Sequence, residues 1–174
     1  IINGEFYSGA ERVQDLLAIN LPDYGYQCDF VCLKPGKFLE SRRAKDSQVF
    51  PLLMTSRFDF SIISRLVSLI KSGNYKIVHT HTARSALIGR IACFLAGVPM
   101  VHHLHSPTKA DTENKVRNFV NVVIEKVSLA KIARIIPVSE SLGRYARACG
   151  FPADKITVVP NGVPVASEQQ AWKK

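Results

Sequence analysis

The sequence has few cysteines, and their spacing fits neither a cysteine-based metal site nor a disulfide framework. The chain of 174 residues carries four, at Cys28, Cys32, Cys93 and Cys149. Zinc sites built on cysteine need closely spaced pairs, and small disulfide-stabilised domains carry far more cysteine for their length. We therefore expect reduced cysteines and a cytoplasmic protein.

The sequence also lacks an apolar run that could cross a membrane as a helix. Its best candidate, residues 85–104, is interrupted by Arg90, Pro99 and two adjacent histidines, whereas a spanning helix needs about 20 mostly apolar residues. The opening residues have no basic flank of the kind found in a secretory signal. Because the chain starts inside an apolar run and without methionine, we expect it to be a segment of a longer protein.

Acidic residues are scarce. Asp and Glu number 14 against 23 Lys and Arg, which gives a formal net charge of +9. This excess makes acidic partners plausible, namely phosphates, nucleotides, anionic lipid or nucleic acid. We disfavour nucleic acid because no basic platform interleaved with aromatic residues and no recognition helix can be identified. With 47% hydrophobic and 21% charged residues, the composition is that of a globular domain.

Short apolar runs alternate with amphipathic stretches along the chain. The runs predict buried parallel strands, and they lie at Ile1–Ile2, Cys28–Leu33, Val49–Leu53, Lys76–Thr80, Pro99–Leu104, Arg134–Val138 and Lys155–Val159. Between them, apolar residues at helical spacing predict helices around residues 13–21, 62–70, 85–95, 116–130 and 142–149. The alternation predicts a doubly wound α/β domain over residues 1–163, with a mainly parallel sheet of about seven strands and helices on both faces.

The loop after the first predicted strand is a candidate phosphate site. Ser8 and Gly9 precede a helix that opens with Ala10 and Glu11. Glycine lets a ligand approach the backbone, and a helix N-terminus offers free N–H groups and a positive dipole end. The motif is neither G-x-G-x-x-G nor a P-loop, so a tight turn with a serine cap fits these residues equally well.

All five histidines lie at the ends of two neighbouring predicted strands. Because side chains alternate along a strand, His79 and His81 share one side, as do His103 and His105. We expect His81 and His105 to meet in one crevice at the strand tips, and His79 and His102 to be ordinary polar residues of the domain. Zinc is the rival interpretation of the cluster, disfavoured because no acidic residue or cysteine lies close in sequence to orient the imidazoles.

Basic residues gather in the predicted loop at Lys34, Lys37, Arg42, Arg43 and Lys45 and in the last helix at Arg144 and Arg147. A solvated basic surface is one interpretation. The other is a contact with an anionic membrane, for which Phe38 and Leu39 would supply exposed apolar groups beside Arg42 and Arg43. Arg84 follows the tip of the His81 strand, where its guanidinium could reach an anion.

Taken together, five motifs resemble the N-terminal domain of the retaining, two-domain (GT-B type) glycosyltransferases of family 4, also called group 1. The motifs occur in the family's order as Ser8–Arg12, Ile77–His81, His103–Ser106, Ile136–Ser141 and Val159–Val163. The resemblance covers nearly the whole chain. It implies two Rossmann-like domains facing a cleft, of which this one binds the acceptor and the C-terminal one binds most of the nucleotide-sugar donor. The C-terminal domain is absent from this sequence, and residues 164–174 are expected to begin the linker or to form a polar tail.

The resemblance also implies roles for single residues. His105 is expected to contact the transferred sugar as the catalytic histidine, and Ser8 and Gly9 to lie beside the donor diphosphate. Ser8 departs from the family's usual glycine, and Lys76 stands where the family usually has Asp. We expect further residues in or near the motifs to bind the acceptor or the sugar, namely His81, Arg84, Ser106, Ser139 and Arg144. The interdomain hinge is expected to begin in the Pro-Asn-Gly segment, at Asn161 and Gly162.

The function predicted from the sequence is therefore one domain of a metal-independent enzyme of cell-envelope glycan or glycolipid synthesis. It would need no cofactor, since the nucleotide-sugar is a co-substrate, and would be inactive alone. Its partners would be the donor, a sugar or lipid-linked acceptor and the inner face of an anionic membrane. A nucleotide-sugar 2-epimerase of the same architecture is the first alternative, and a non-catalytic anion- or nucleotide-binding module is the second.

Overall fold

The structure is a computed structural model that describes residues 1–56, 58–107 and 115–162. The predicted domain end at residue 163 and the predicted linker at 164–174 lie outside the described residues. Its helices are α1 (Gly9–Asn20), α2 (Lys37–Ser41), α3 (Ile63–Ser72), α4 (Ala83–Ala96), α5 (Lys115–Leu129) and α6 (Glu140–Ala148). Its strands are β1 (Phe30–Cys32), β2 (Val49–Pro51), β3 (Val78–Thr80), β4 (Met100–Leu104) and β5 (Arg134–Pro137).

All strand pairs are parallel, as the alternating pattern predicts. They form two sheets rather than one: β1 pairs with β2 in the first, and β3, β4 and β5 pair in that order in the second. Two further segments join through single bridges, Ile2 to Cys32 and Ile156 to Ile135, and the amino group of Ile1 donates to the carbonyl oxygen of His79. The parallel α/β architecture is confirmed, but the described part of the chain holds five strands and two single-bridge segments rather than seven strands.

The side chains of β1 enter two different hydrophobic clusters, which shows that both faces of the sheet are covered. Phe30 and Cys32 pack with Ala18 of α1 and Phe38 of α2. The alternate residues Val31 and Leu33 belong instead to the larger cluster, whose helical members are Leu66, Ile70, Ala86, Ile88, Ala92, Cys93, Leu129, Leu142 and Ala146. β1 thus has α1 and α2 on one side and, on the other, the cluster to which α3, α4, α5 and α6 contribute.

Helix α4 is locked to the tip of β3 by close packing and by its N-terminal cap. A Cβ atom on Gly89 would lie 2.7 Å from Cγ2 of Thr80, so only glycine lets the helix approach the strand this closely. The hydroxyl of Ser85 accepts hydrogen bonds from the backbone N–H groups of His81 and Thr82 at 3.0 and 2.9 Å. The backbone that carries His81 is therefore fixed from two sides.

The loop between β1 and β2 is more ordered than the sequence predicts. It contains α2, and Phe38, expected to be exposed beside Arg42 and Arg43, is fully buried against Phe30 with ring centroids 4.9 Å apart. The Arg42 guanidinium donates to the carbonyl oxygens of Ala44 and Ser47. The expectation that this loop presents an apolar and basic patch is wrong for Phe38 and Arg42, because both side chains turn inward.

Two other contacts tie the same loop to the domain. The Asp15 carboxylate of α1 accepts the backbone N–H groups of Arg43 and Ala44 at 2.8 and 2.9 Å. Lys34 forms an ion pair with Glu5 at 3.0 Å.

Within the described ranges, no helix combines the length and the apolar character needed to cross a bilayer.

Candidate functional site

The predicted site histidines lie at the edge where β3, β4 and β5 end. The register pairs Thr80 with His102 and Leu104 with Pro137, so β4 and β5 end at the same level and extend two residues past the end of β3. His81 follows β3, and His105 and Ser106 follow β4. In open α/β sheets this carboxyl edge is where ligands bind.

His81 and His105 meet at this edge, as side-chain alternation predicts. Nδ1 of His81 lies 3.3 Å from Nε2 of His105. The His103 ring stacks on His105 with centroids 4.5 Å apart, and the His79 ring lies 4.3 Å from that of His81. His79 therefore joins the cluster instead of standing apart as an ordinary polar residue, and its Nε2 is buried without a hydrogen-bond partner among the described atoms.

His102 points away from the cluster and has a structural role, as expected. Its ring is buried, and its Nδ1 lies 2.9 Å from the Thr80 hydroxyl oxygen. The Thr80 hydroxyl donates to the carbonyl oxygen of Val101 at 3.2 Å. Because one hydroxyl has one proton to donate, the His102 ring must donate through Nδ1.

Burial keeps the histidines neutral. It lowers the pKa of His102 to about 3 and that of His103 to about 4, and neighbouring histidines add to the effect. The pKa values of His79 and His81 fall well below the ordinary value for the same two reasons. Burial also lowers the pKa of His105, which the charge of Glu11 partly offsets. Neutral imidazoles have one donor and one acceptor nitrogen, which suits them to binding sugar hydroxyl groups.

The first two turns of α1 face the histidine cluster. The Gln14 amide nitrogen lies 3.5 Å from Nδ1 of His103. The Glu11 carboxylate is buried and accepts the backbone N–H and the hydroxyl of Ser8. At Gly9 a Cβ atom would meet nothing within 4 Å, so the backbone there is open to a ligand.

Glu11 and Gln14 are site residues that the sequence interpretation missed. The spacing Ser8-x-x-Glu11 is a helix-capping pattern, which indicates a role at the helix start. That pattern says nothing about the strand tip that the carboxylate faces. The serine-cap interpretation of Ser8 and the ligand interpretation of Gly9 are compatible in this geometry.

The remaining predicted residues differ in how close they come to the cluster. Arg84 lies in the first turn of α4, and its Nε is buried without a hydrogen-bond partner in the described part of the chain. Ser106 is exposed beside His105. The Ser139 hydroxyl caps α6 by accepting from the Leu142 N–H at 3.3 Å.

Other predicted residues are not brought to the cluster by any hydrogen bond within residues 1–56, 58–107 and 115–162. Arg144 is exposed on α6. Asn161 and Gly162 are exposed at the end of the last described range. The assignments of Ser139 and Arg144 to the substrate and of Asn161 and Gly162 to the hinge stay predictions.

Three of the histidines are close enough to be considered as metal ligands. One ring nitrogen each of His79, His81 and His103 lies within 4.8 Å of the other two. Imidazole is a suitable ligand for zinc, and a fourth position would be left for water or substrate. The Gln14 amide beside His103 is a weaker orienting partner than the carboxylate or carbonyl usual behind a zinc-bound histidine. The absence of metal stays a prediction.

The sequence was compared with protein families and with curated proteins. A sequence model of Glycosyltransferase Family 4 matches residues 7–167. The UDP-Gal:alpha-D-GlcNAc-diphosphoundecaprenol alpha-1,3-galactosyltransferase of Escherichia coli is 29% identical over 96% of this chain. The chain spans 45% of the length of that enzyme.

Solved structures share the fold at lower identity. Anabaena Alr3699/HepE in complex with UDP matches with a TM-score of 0.74 and 18% identity, over 93% of this chain and 43% of that one. A UDP-N-acetylglucosamine 2-epimerase from Listeria monocytogenes, described as putative in its own name, matches with a TM-score of 0.66 and 15% identity, over 89% and 42%. The fold alone therefore does not separate a transferase from an epimerase, whereas the family match favours the transferase.

Proposed function

The chain belongs to glycosyltransferase family 4, and from this membership we propose that it forms the acceptor-binding, N-terminal part of an enzyme that transfers a sugar from a nucleotide-sugar to a lipid-linked acceptor. One observation carries the proposal. The neutral pair His81 and His105 and the first turn of α1 converge on the carboxyl edge of the sheet. Such an edge, with hydroxyl-binding rings beside a helix N-terminus, suits a sugar attached to a diphosphate.

The reaction breaks the bond between the anomeric carbon of the sugar and the diphosphate oxygen, and forms a bond from that carbon to an acceptor oxygen. The acceptor hydroxyl passes its proton to an oxygen of the departing diphosphate, which leaves with the electron pair. Negative charge therefore grows on the phosphate side, where the open backbone at Gly9 and the N-terminus of α1 stabilise it. His105 accepts from or donates to a hydroxyl of the sugar and holds it in place. We propose that the configuration at the anomeric carbon is retained.

The proposed donor is a UDP-hexose and the proposed acceptor is a sugar on a lipid diphosphate. The E. coli relative carries both chemistries in its name, and the Anabaena neighbour binds UDP and, in a second complex, UDP-glucose. The net charge of +9 fits a domain that works beside anionic groups. We place the enzyme in the cytoplasm at the membrane surface, and no cofactor beyond the nucleotide-sugar is needed.

The test uses the intact protein with a panel of UDP-hexoses and a synthetic GlcNAc-diphospholipid. Mass spectrometry of the lipid product should show the gain of one hexose, and NMR of the new linkage should show the α configuration of the donor. Conversion of UDP-GlcNAc into its 2-epimer without transfer would favour the epimerase alternative. Binding of UDP without any reaction would favour a non-catalytic nucleotide-binding module.

A further inference from the structure

Helix α5 turns a mainly polar side towards the domain, with Leu129 buried at its end, and an apolar side towards solvent. Its buried residues include Asn121, Glu125 and Ser128. The apolar face that the sequence predicts for this helix exists, but Val116, Phe119 and Val127 on it are 73%, 70% and 65% exposed. Val120 and Val123 on the same face are exposed too.

This orientation is the reverse of that in α3. There Leu66 and Ile70 are buried and Arg65 is exposed, which is the usual arrangement for a helix that covers a sheet. An apolar helix face left in water costs the stability that its burial would give, so a face of this size indicates that another surface covers it.

Among the residues that the structure describes, the exposed charges of α5 and of the turn after it all have one sign. Lys115 and Lys126 of the helix are exposed, as is Lys131 just after it. The acidic residue of the helix, Glu125, is buried. A face that combines aromatic and branched apolar groups with lysines alone is complementary to an anionic lipid surface, in which the apolar groups enter the acyl boundary and the lysines meet the headgroups.

The basic surface continues into a cavity at the C-terminal end of α5. The cavity has a volume of about 370 Å³ and is lined by Lys126, Lys131 and Lys155 together with a larger number of apolar residues, Phe151 among them. Three lysines around an open cavity beside an apolar face give a place where anionic headgroups can sit once the helix lies on the bilayer.

We propose that the outer face of α5, defined as Val116, Phe119, Val120, Val123 and Val127 with Lys115, Lys126 and Lys131, docks on an anionic membrane with the helix in the interfacial plane. This deepens the proposed function, on which it rests, since docking would hold the domain beside a lipid-linked acceptor. It also moves the membrane contact from the loop at residues 34–45, where Phe38 and Arg42 turn inward.

The first experiment reports the position of α5 directly. Val123→Cys in the intact protein is labelled with an environment-sensitive fluorophore, and Tyr24→Cys, exposed on a turn far from α5 in sequence, is the control. Vesicles of phosphatidylcholine with phosphatidylglycerol should blue-shift the label at position 123 and leave that at position 24 unchanged. No shift at 123, an equal shift at both positions, or a label already shielded without lipid would each overturn the proposal.

The second experiment measures binding by vesicle co-sedimentation. Phe119→Ser with Val127→Ser should lower partitioning onto anionic vesicles by roughly tenfold, and Lys126→Glu with Lys131→Glu by a similar factor. Tyr24→Ser removes an exposed aromatic side chain and Lys71→Glu reverses an exposed lysine elsewhere on the surface, and both variants should bind like wild type. Equal loss in the controls, equal binding to neutral vesicles, or self-association of wild type that the Phe119 and Val127 changes abolish would overturn it.

The two proposals fail separately. The vesicle assay contains no nucleotide-sugar donor. If the protein binds vesicles through α5 but transfers no sugar, the proposed function is disproved and the docking surface is not. If the protein transfers sugar to the lipid acceptor while the α5 variants bind vesicles like wild type, the docking surface is disproved and the proposed function is not.

Discussion

Nδ1 of His81 lies 3.3 Å from Nε2 of His105 across the tips of two adjacent parallel strands. At this distance one ring donates and the other accepts, which requires at least one of the two to be neutral. A second proton would place two positive charges side by side in a site that burial has already made unfavourable for charge. The pair therefore acts as a polar, uncharged surface for a ligand.

The pH dependence of stability follows from the lowered histidine pKa values. Unfolded histidines take up protons as the pH falls below about 6.5, whereas His102 and His103 stay neutral when folded until about 3 and about 4. The free energy of unfolding should therefore be highest above pH 6.5 and fall by about 1.4 kcal/mol per pH unit for each such histidine below it. Urea denaturation between pH 7.5 and 4.5 measures this slope.

His102→Asn provides the control for that slope. The Asn amide can still donate towards Thr80, but it does not titrate. The variant should be less stable than wild type at pH 7, with a slope shallower by about one proton. A stability that is flat from pH 7.5 to 4.5 in wild type would contradict the neutral histidine cluster.

His105 and His102 should separate activity from stability. His105→Ala should lower turnover by roughly 10²-fold because it removes a hydroxyl-binding group from the sugar site, and should cost less than about 1 kcal/mol of stability. His102→Ala removes a buried side chain and its bond to Thr80, and should cost about 2–4 kcal/mol while the folded fraction keeps its turnover. Turnover kinetics and denaturation of both variants check this, and wild-type turnover in His105→Ala would remove its catalytic assignment.

The sequence predicts the sheet well because strand identity is local. The short apolar run around Ile135 or Val101 marks a parallel strand whatever its partner strands are, and alternation alone brings His81 to the side of His105. Which side chains of other elements contact a residue is not determined by the local sequence. Glu11 and Gln14 reach the site only because the tertiary packing of α1 brings them beside His103 and His105, and no spacing in the sequence records that contact.

Helix orientation and loop packing are the other parts that the sequence does not fix. Helical spacing identifies an apolar face on α5. Whether that face meets the sheet or solvent depends on whether the polar face of the helix can be buried instead, as Asn121 and Glu125 are. In the loop after β1, Phe38 and Arg42 are equally consistent with an exposed patch and with a small separate core. The packing of Phe38 on Phe30 favours the small core, because burying a phenylalanine side chain is more favourable than leaving it exposed by about 1.5–3 kcal/mol.

Transferase activity should survive a strong chelator. The prediction is specific because His79, His81 and His103 offer ligand atoms within 4.8 Å of one another. If they act as a hydroxyl-binding surface, incubation with EDTA followed by desalting should leave kcat unchanged, and elemental analysis should find no stoichiometric zinc. One tightly bound zinc per chain, whose removal abolishes activity, would show that the cluster is a metal centre.

Gly9→Ala should weaken donor binding without harming the fold. A Cβ atom there would meet nothing within 4 Å and no left-handed backbone is required, so the free energy of unfolding should stay within about 0.5 kcal/mol of wild type. If the donor diphosphate approaches the backbone at Gly9, the added methyl group should raise the KM for the nucleotide-sugar by roughly tenfold and leave the KM for the acceptor unchanged. Gly97→Ala is the matched control, since Gly97 ends α4 with φ +76°; it should lose about 1 kcal/mol of stability and keep the donor KM. Initial rates over a range of donor concentrations, with denaturation curves for both variants, make the comparison. An unchanged donor KM in Gly9→Ala would remove the phosphate from the first turn of α1 and leave Ser8 and Gly9 as a capped turn.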